Sequence, residues 1–187
     1  MRKAILSAAL LSFAGAASAH VTPSVSLVRR GDFIRQAFPA AAKFFEKTLD
    51  GKTLDAVSRS IGWRPSEEEA RVYVARTSEG KLVGTAVFLW MPSQHGPVGI
   101  GTAFDPEGRL LQAAVTDIGT EPLAWVRPLL AQNRLEPFAG LMLDGAPDPD
   151  RIAPAEAGAM TRYYARVISD GIRRAQAVEK AVREEIR

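Results

Sequence analysis

Cysteine is absent from the 187 residues of the chain, and only two histidines occur, His20 and His95. Without a thiol there is no disulfide, no cysteine nucleophile, no iron–sulfur cluster and no cysteine zinc site. The chain also lacks a G-x-S-x-G sequence, so a serine hydrolase has no nucleophile elbow. The residue types from which many enzymes build their active sites are therefore missing or scarce, and a hydrolase is not expected.

An excess of charge of one sign is also missing. Lys and Arg number 24 and Asp and Glu 21, which gives a formal net charge of +3 at pH 7. Basic residues do not cluster with aromatic ones, so nucleic acid is not expected as a partner. Apolar residues make up 47% of the chain and charged residues 24%, values typical of a globular protein of one domain.

The first 19 residues have the three parts of a secretory signal peptide. Arg2 and Lys3 are followed by an apolar run over residues 4–15 and by the A-x-A site Ala17-Ser18-Ala19. A membrane-spanning helix needs about 20 apolar residues, so this run is too short to span well. We therefore expect cleavage before His20, export to the periplasm or a similar compartment, and a soluble mature protein. An uncleaved anchor or a buried helix is the alternative.

Apolar residues recur near helical spacing in the part of the chain before residue 67. They predict a helix over residues 32–48, which Pro39 interrupts, and a second helix over residues 54–61. Residues 20–30 are expected to form an extended arm. This part of the mature chain is therefore predicted to be mainly helical.

The pattern then changes to alternation with a period of two. Four strands are predicted, over residues 71–76, 81–90, 98–104 and 110–116. The turn Asp105–Gly108 has proline second and glycine fourth, as in a β-turn. Strands that follow each other through short turns form an antiparallel meander.

Helical patterns return after the sheet. Residues 121–130 and 134–141 predict helices, residues 144–154 a loop, and residues 160–186 a long helix with one apolar stripe. Helices, one sheet and helices again indicate an α+β fold with a long C-terminal helix.

The long helix also carries charges at i,i+4 spacing. Arg166–Asp170 and Glu179–Arg183 predict two ion pairs on its solvent side.

His20 allows a specific metal hypothesis. After cleavage it would be the first residue, and its α-amine and imidazole could bind copper together with His95, since imidazole suits copper. Nothing in the sequence brings His20 and His95 together. We therefore interpret His20 and His95 as two ordinary polar residues and predict no metal site. A copper-binding protein that uses His20 stays an alternative.

From Lys81 onward the order of segments resembles the FMN-binding domain family. That family includes the periplasmic-side flavin subunits of the sodium-pumping NADH–quinone reductase and Rnf complexes, and stand-alone exported proteins. The segments that carry the resemblance are KLVGTAVFLW (81–90), the HGP turn (95–97), the strand pair 98–117, Thr120-Glu121-Pro122, RLEPFAGLMLD (134–144) and AGAMT (157–161) followed by ARVISDGIRRA.

The last of these segments resembles the SGAT motif of the family. Members esterify the phosphate of FMN to the final threonine of that motif, with the help of a separate flavin transferase. Here Met160, which has no hydroxyl, stands at the threonine position, and Ala157 stands at the serine position. Thr161, one residue later, is the nearest residue that could form the ester. An alanine-rich first turn of an ordinary helix is the alternative interpretation of this segment.

The resemblance implies a domain division and a cofactor site. We assign residues 1–19 to the signal peptide, 20–66 to an N-terminal helical segment that packs on the domain, and 67–187 to an FMN-binding-like α+β domain. Trp90 or Trp125 could stack on the flavin ring. The cofactor-binding residues implied are His95, Gly96, Thr120, Glu121, Gly158, Ala159, Met160 and Thr161.

The function implied is that of an exported FMN-binding electron-transfer protein, more an electron carrier than a stand-alone enzyme. The flavin would be held covalently or non-covalently, and the partners would be a flavin transferase and a membrane-bound redox complex. The alternative is a binding or assembly module that has kept the fold and lost the flavin.

Overall fold

A computed structural model describes residues 23–66, 68–143 and 145–186. The predicted signal peptide and His20 lie outside the described residues. The described elements, numbered along the chain, are β1 (Ser24–Ser26), α1 (Arg30–Ala37), β2 (Lys43–Lys47), α2 (Gly51–Ile61), β3 (Ala70–Arg76), β4 (Leu82–Met91), β5 (Val98–Phe104), β6 (Leu110–Gly119), α3 (Leu123–Ala131), a 3₁₀ turn (Glu136–Phe138), α4 (Pro149–Ile152) and α5 (Ala159–Ile186).

The six strands form one antiparallel sheet in the order β1-β6-β5-β4-β3-β2. The run from β3 to β6 is the predicted meander, and each strand begins within one residue of its predicted start. In the turn between β5 and β6 the Gly108 N–H donates to the Asp105 carbonyl at 3.0 Å, and Gly108 has φ +92°. The predicted α+β class, with its long C-terminal helix, is confirmed.

The predicted helix over residues 32–48 is wrong in its second half. Helix α1 ends at Ala37, before Pro39, and residues 43–47 form the edge strand β2 against β3. The apolar residues of α1 and β2, taken together, match helical spacing, although a short turn separates the helix from the strand. Neighbouring side chains of a strand point to opposite faces, and Phe44 and Phe45 are both exposed.

Both edges of the sheet come from the segment before residue 67. Strand β1 lies within the predicted extended arm and pairs with the end of β6, Ser24 opposite Gly119. Strand β2 forms the other edge. Its register with β3 places Phe44 opposite Ala75.

Smaller differences concern the helices after the sheet. The helix predicted over 134–141 is only the 3₁₀ turn Glu136–Phe138, and the predicted loop 144–154 contains the short helix α4. The Asp148 side chain begins α4 by accepting the Asp150 N–H at 2.9 Å. Pro149 at the first helical position fits such a start.

The core lies mainly between the sheet and helix α5. The predicted stripe of α5 faces the sheet, and Tyr164, Ile168, Ile172 and Val178 are fully buried there. Helix α1 covers part of the opposite face with Phe33 and Ile34, and Phe38, the residue after the helix, joins them. None of the helices in the described ranges is both long and apolar enough to cross a bilayer.

The ion pairs of α5 differ from the prediction. Asp170 binds Arg173 and Arg174, at 2.6 and 2.8 Å, instead of Arg166. The predicted pair Glu179–Arg183 is present at 2.7 Å, but the Glu179 side chain is only 1% exposed. Glu179 thus lies on the buried side of the helix, not on the solvent side.

The last turn of α5 is tied to two other elements. The Thr53 hydroxyl of α2 donates to Glu185 at 3.0 Å, and Lys47 of β2 forms an ion pair with the same carboxylate.

Candidate functional site

One end of the sheet brings together four segments of the chain. The β4–β5 connection, residues 92–97, leaves the sheet beside the end of β6, because Val98 pairs with Ile118. A Cβ built on Gly119 would lie 3.5 Å from the carbonyl oxygen of His95, so the two backbones run close together. Helix α3 starts just after β6, and the first turns of α5 pack against this junction through side chains.

His95 is held by Glu121 at this junction. The two side chains form a bond of 2.8 Å between Nδ1 and Oε1, and they are 31% and 51% exposed. This bond puts the hydrogen on Nδ1 of a neutral imidazole and leaves the Nε2 lone pair available. None of the described residues hydrogen-bonds to Nε2.

An aromatic cluster lies beneath this pair. The Trp125 ring packs against His95, with 4.8 Å between centroids, and stacks on Tyr164 at 6.0 Å with 13° between planes. Tyr163 meets Tyr164 edge-on at 5.1 Å. The Trp125 ring therefore packs with one ring of the β4–β5 connection and one ring of helix α5.

The two tyrosines fasten the β4–β5 connection to α5. Tyr163 accepts the N–H of Gln94 at 3.1 Å, and the hydroxyl groups of Tyr164 and Ser93 lie 3.2 Å apart. Tyr164 is fully buried, and this burial raises the pKa of its hydroxyl above the ordinary value of 10.0. The loop that carries His95 thus has a position fixed by α5.

The start of α5 is partly open to solvent. Gly158 and Ala159 are exposed, and Met160 is half-buried against the core. The first hydrogen bond of the helix runs from the Arg162 N–H to the Gly158 carbonyl at 3.1 Å. The preceding N–H groups, of residues 159–161, have no partner within the helix, as at every helix start.

Covalent attachment of FMN does not fit these residues. Met160 has no hydroxyl to esterify. Thr161 has one, but the residue is only 8% exposed. An ester at Thr161 would need the first turn of α5 to move away from the core. Non-covalent binding of the phosphate fits better, since Gly158 has no side chain and no atom lies within 4 Å of a Cβ built there.

The structure brings some of the predicted site residues into contact with each other. His95 and Glu121 are in contact, Gly96 belongs to the same loop with φ +103°, and Thr120 donates its N–H to Pro23 at 2.9 Å. Residues 158–161 begin the helix whose next turn carries Tyr163 and Tyr164.

The two tryptophans proposed as stacking partners have different places. Trp125 belongs to the cluster, whereas Trp90 lines a small cleft with Arg30 and Asp117 elsewhere on the sheet. Sequence reasoning missed Tyr163 and Ser93. The two adjacent tyrosines just after Thr161 were the sequence signal that could have pointed to Tyr163.

A second concave region lies apart from these residues. A groove of about 770 Å³ runs between residues 111–115 of β6 and residues 129–139, and no predicted site residue lines it. Among the residues that the structure describes, no group of three or more His, Asp or Glu side chains could hold a metal ion.

Comparison of the chain with models of known protein families, with curated proteins and with solved structures gave no match.

Proposed function

We propose that the protein is an exported flavoprotein that binds FMN without a covalent bond and carries electrons for a membrane redox system. The observation that carries the proposal is the meeting of three distant segments at one end of the sheet. Residues 95–96, residues 120–121 and the start of α5 converge there, joined by the His95–Glu121 bond and the Tyr163–Gln94 bond. These are the segments that the resemblance assigns to a flavin site.

The protein's own groups would bind and orient the cofactor. The unpaired N–H groups of residues 159–161 and the positive end of the helix dipole suit a phosphate. His95 and Glu121 offer one acceptor nitrogen and one carboxylate beside it. FMN, when bound, supplies the electron uptake and release, and the protein supplies position and environment.

The test is an absorption spectrum of the mature protein purified from its native host, before and after denaturation, with its intact mass. We expect flavin absorption that leaves the chain on denaturation, and a polypeptide mass without FMN. The absence of flavin absorption in both spectra would refute the proposal.

A charge substitution tests the location. Gly158→Asp adds a carboxylate that caps α5 and repels a phosphate, so it should weaken FMN binding while the fold stays stable. Ala139→Asp, at an exposed position outside the cluster, is the matched control. Equal FMN affinity in the two variants would place the phosphate elsewhere.

The second candidate is a flavin-free binding or assembly module of the same redox system. The observation that favours it is that Trp125, one of the two proposed stacking partners of the flavin, already packs with the rings of His95 and Tyr164. Met160→Thr distinguishes the two candidates when it is expressed with a flavin transferase. Covalent FMN on that variant would support a carrier that has lost its ester, and failure to attach FMN would favour the module.

A further inference from the structure

We propose that the edge of β6 at residues 111–115 binds an extended peptide of a partner protein, one that carries apolar side chains and an acidic residue. The peptide would lie in the groove of about 770 Å³ between β6 and residues 129–139. No residue of the candidate flavin site lines this groove, so the proposal does not depend on flavin binding.

The outer edge of β6 is covered at both ends by other segments of the chain. At one end β1 pairs with the last residues of β6, and the Leu27 N–H continues this pairing to the Thr116 carbonyl at 2.7 Å. At the other end the Leu110 N–H donates to the Leu141 carbonyl at 2.9 Å. Between these two places, residues 111–115 have β5 as their only neighbouring strand in the described part of the chain.

An uncovered strand edge is a template for another strand. The backbone N–H and C=O groups of a strand point alternately to its two sides, so part of those of residues 111–115 face the open side. An extended peptide that adds to such an edge gains main-chain hydrogen bonds, and its alternate side chains provide specificity. Five residues correspond to about 17 Å of strand, which is enough for a short peptide to pair.

The walls of the groove suit apolar side chains. Leu130 and Leu135 line it and are half-buried, as does Val28 near the end of β1. Leu111 in the groove and Leu141 next to it are 36% and 43% exposed. Large apolar side chains that lie together on a surface are typical of interaction sites.

Arg134 gives the groove a basic group. Its Nε donates to the side chain of Gln132 at 2.6 Å, and none of the carboxylates in the described ranges forms an ion pair with it. Arg134 is half-buried, whereas Glu136, which also lines the groove, is exposed and better screened by water. An acidic side chain of the peptide can therefore pair with the guanidinium group. A fatty acid would also offer a carboxylate, but it has no backbone groups for the open strand edge, so a peptide is favoured.

The test uses the full-length protein and a synthetic peptide of seven residues, which alternates valine with threonine and ends in an amidated aspartate. Calorimetry measures the affinity, and hydrogen exchange locates the binding. We expect binding below about 1 mM, with slower amide exchange in residues 111–115. The absence of binding up to that concentration would overturn the proposal.

Two N-methylated forms of the peptide test the strand addition itself. In a strand pair only alternate N–H groups of the peptide point to the protein. N-methylation of one alternate set should therefore weaken binding at least about tenfold, because several main-chain hydrogen bonds are lost, and N-methylation of the other set should change it little. Equal affinities of the two forms would contradict pairing with the β6 edge.

A charge reversal tests the acidic residue. Arg134→Glu should weaken binding of the aspartate peptide about fivefold and strengthen binding of the same peptide that ends in lysine. Arg127→Glu, at an exposed arginine of α3 outside the groove, is the matched control and should leave both affinities unchanged. Circular dichroism checks that both variants are folded. An unchanged preference for aspartate in Arg134→Glu would refute the acidic partner.

Two other occupants of the groove would give different results. A lipid site would bind dodecanoate, which has a carboxylate and an alkyl chain, and would not bind the peptide. A second copy of this chain would protect residues 111–115 from exchange without peptide, and the protection would rise with protein concentration. Either result would overturn the proposal.

Discussion

Gly171 lies where α5 crosses the sheet, and adding a single methyl group there should destabilise the protein. Gly171 is buried, and a Cβ at this position would collide with Cδ1 of Ile100 and lie 3.0 Å from Cγ of Met91. Ile100 is fully buried, so its Cδ1 atom cannot turn out into solvent and can move only against other close-packed core side chains. Because helix and sheet approach each other closely at Gly171, this residue helps to set the distance between α5 and the sheet. That distance in turn affects where Tyr163 and Tyr164 lie.

Two effects of Gly171→Ala oppose each other. Replacing glycine by alanine within a helix stabilises by about 1 kcal/mol. Crowding a packed core costs about 1–3 kcal/mol. Because the colliding atom belongs to a fully buried side chain, we expect the crowding to outweigh the gain in helix stability. The free energy of unfolding should then fall by about 1 kcal/mol.

Ile100→Val removes the colliding Cδ1 atom and provides the decisive comparison. Alone it should cost about 1 kcal/mol, since it leaves a small cavity. Together the two changes fill that cavity, so the double variant should lie within about 0.5 kcal/mol of the wild type. Independent effects would instead add to about 2 kcal/mol.

Urea denaturation followed by far-ultraviolet circular dichroism measures all three variants. Ile118→Val, an equally buried change that is not among the atoms nearest to Gly171, is the matched control and should combine additively with Gly171→Ala. Additive behaviour of the Ile100 pair, or a Gly171→Ala protein more stable than the wild type, would refute this reasoning.

Three further predictions concern charged and titratable groups. Arg183→Ala removes an ion-pair partner of Glu179, which is 1% exposed, and should lower the free energy of unfolding by about 2 kcal/mol in urea titrations, the order of a hydrogen bond to a charged group. Asp50 accepts the N–H of Thr53 at the start of α2, which lowers the pKa of Asp50 below 3.8. Its stabilising effect is therefore present above that value and lost as the pH falls further, so the difference in urea midpoint between wild type and Asp50→Ala should shrink from about pH 5 to pH 2. Burial raises the pKa of Tyr164 above 10.0, so stability should fall as the pH rises through and beyond that value. Absorbance at alkaline pH should show a tyrosine that ionises above 10.0, and Tyr164→Phe should remove that step.

The sheet was largely predictable because its central strands carry a local signal. In the sequence, residues 98–104 lie between a proline-containing loop and a Pro-Glu-Gly turn. Strand β5 begins and ends at these residues, and its side chains alternate between two buried faces of the sheet. Strand β2 has no such signal, since Phe44 and Phe45 are both exposed. Strand β1 has only three residues, and it exists because β6 offers it an edge.

The site was predictable only where the resemblance supplied positions. It singled out His95 and Glu121, which are 26 positions apart and in contact at 2.8 Å. Periodicity could not show that Tyr163 and Tyr164 bind the loop that carries His95, because a tyrosine near the apolar stripe of a helix has the pattern of ordinary core. The burial of Glu179 is another feature that spacing cannot reveal, since an i,i+4 pair has the same pattern on either side of a helix.

Helix α5 has 28 residues and is about 42 Å long. Near its start, Tyr163 holds the loop that carries His95, and at its end Glu185 is bound by Thr53 and Lys47. Helix α5 thus connects the candidate site to helix α2 and edge strand β2. We expect an opening at either end to disturb the same helix, so that amide protons of the two regions exchange together. A ligand that holds the loop around His95 in place is then expected to slow amide exchange in the edge strand β2 as well, although it does not touch that strand.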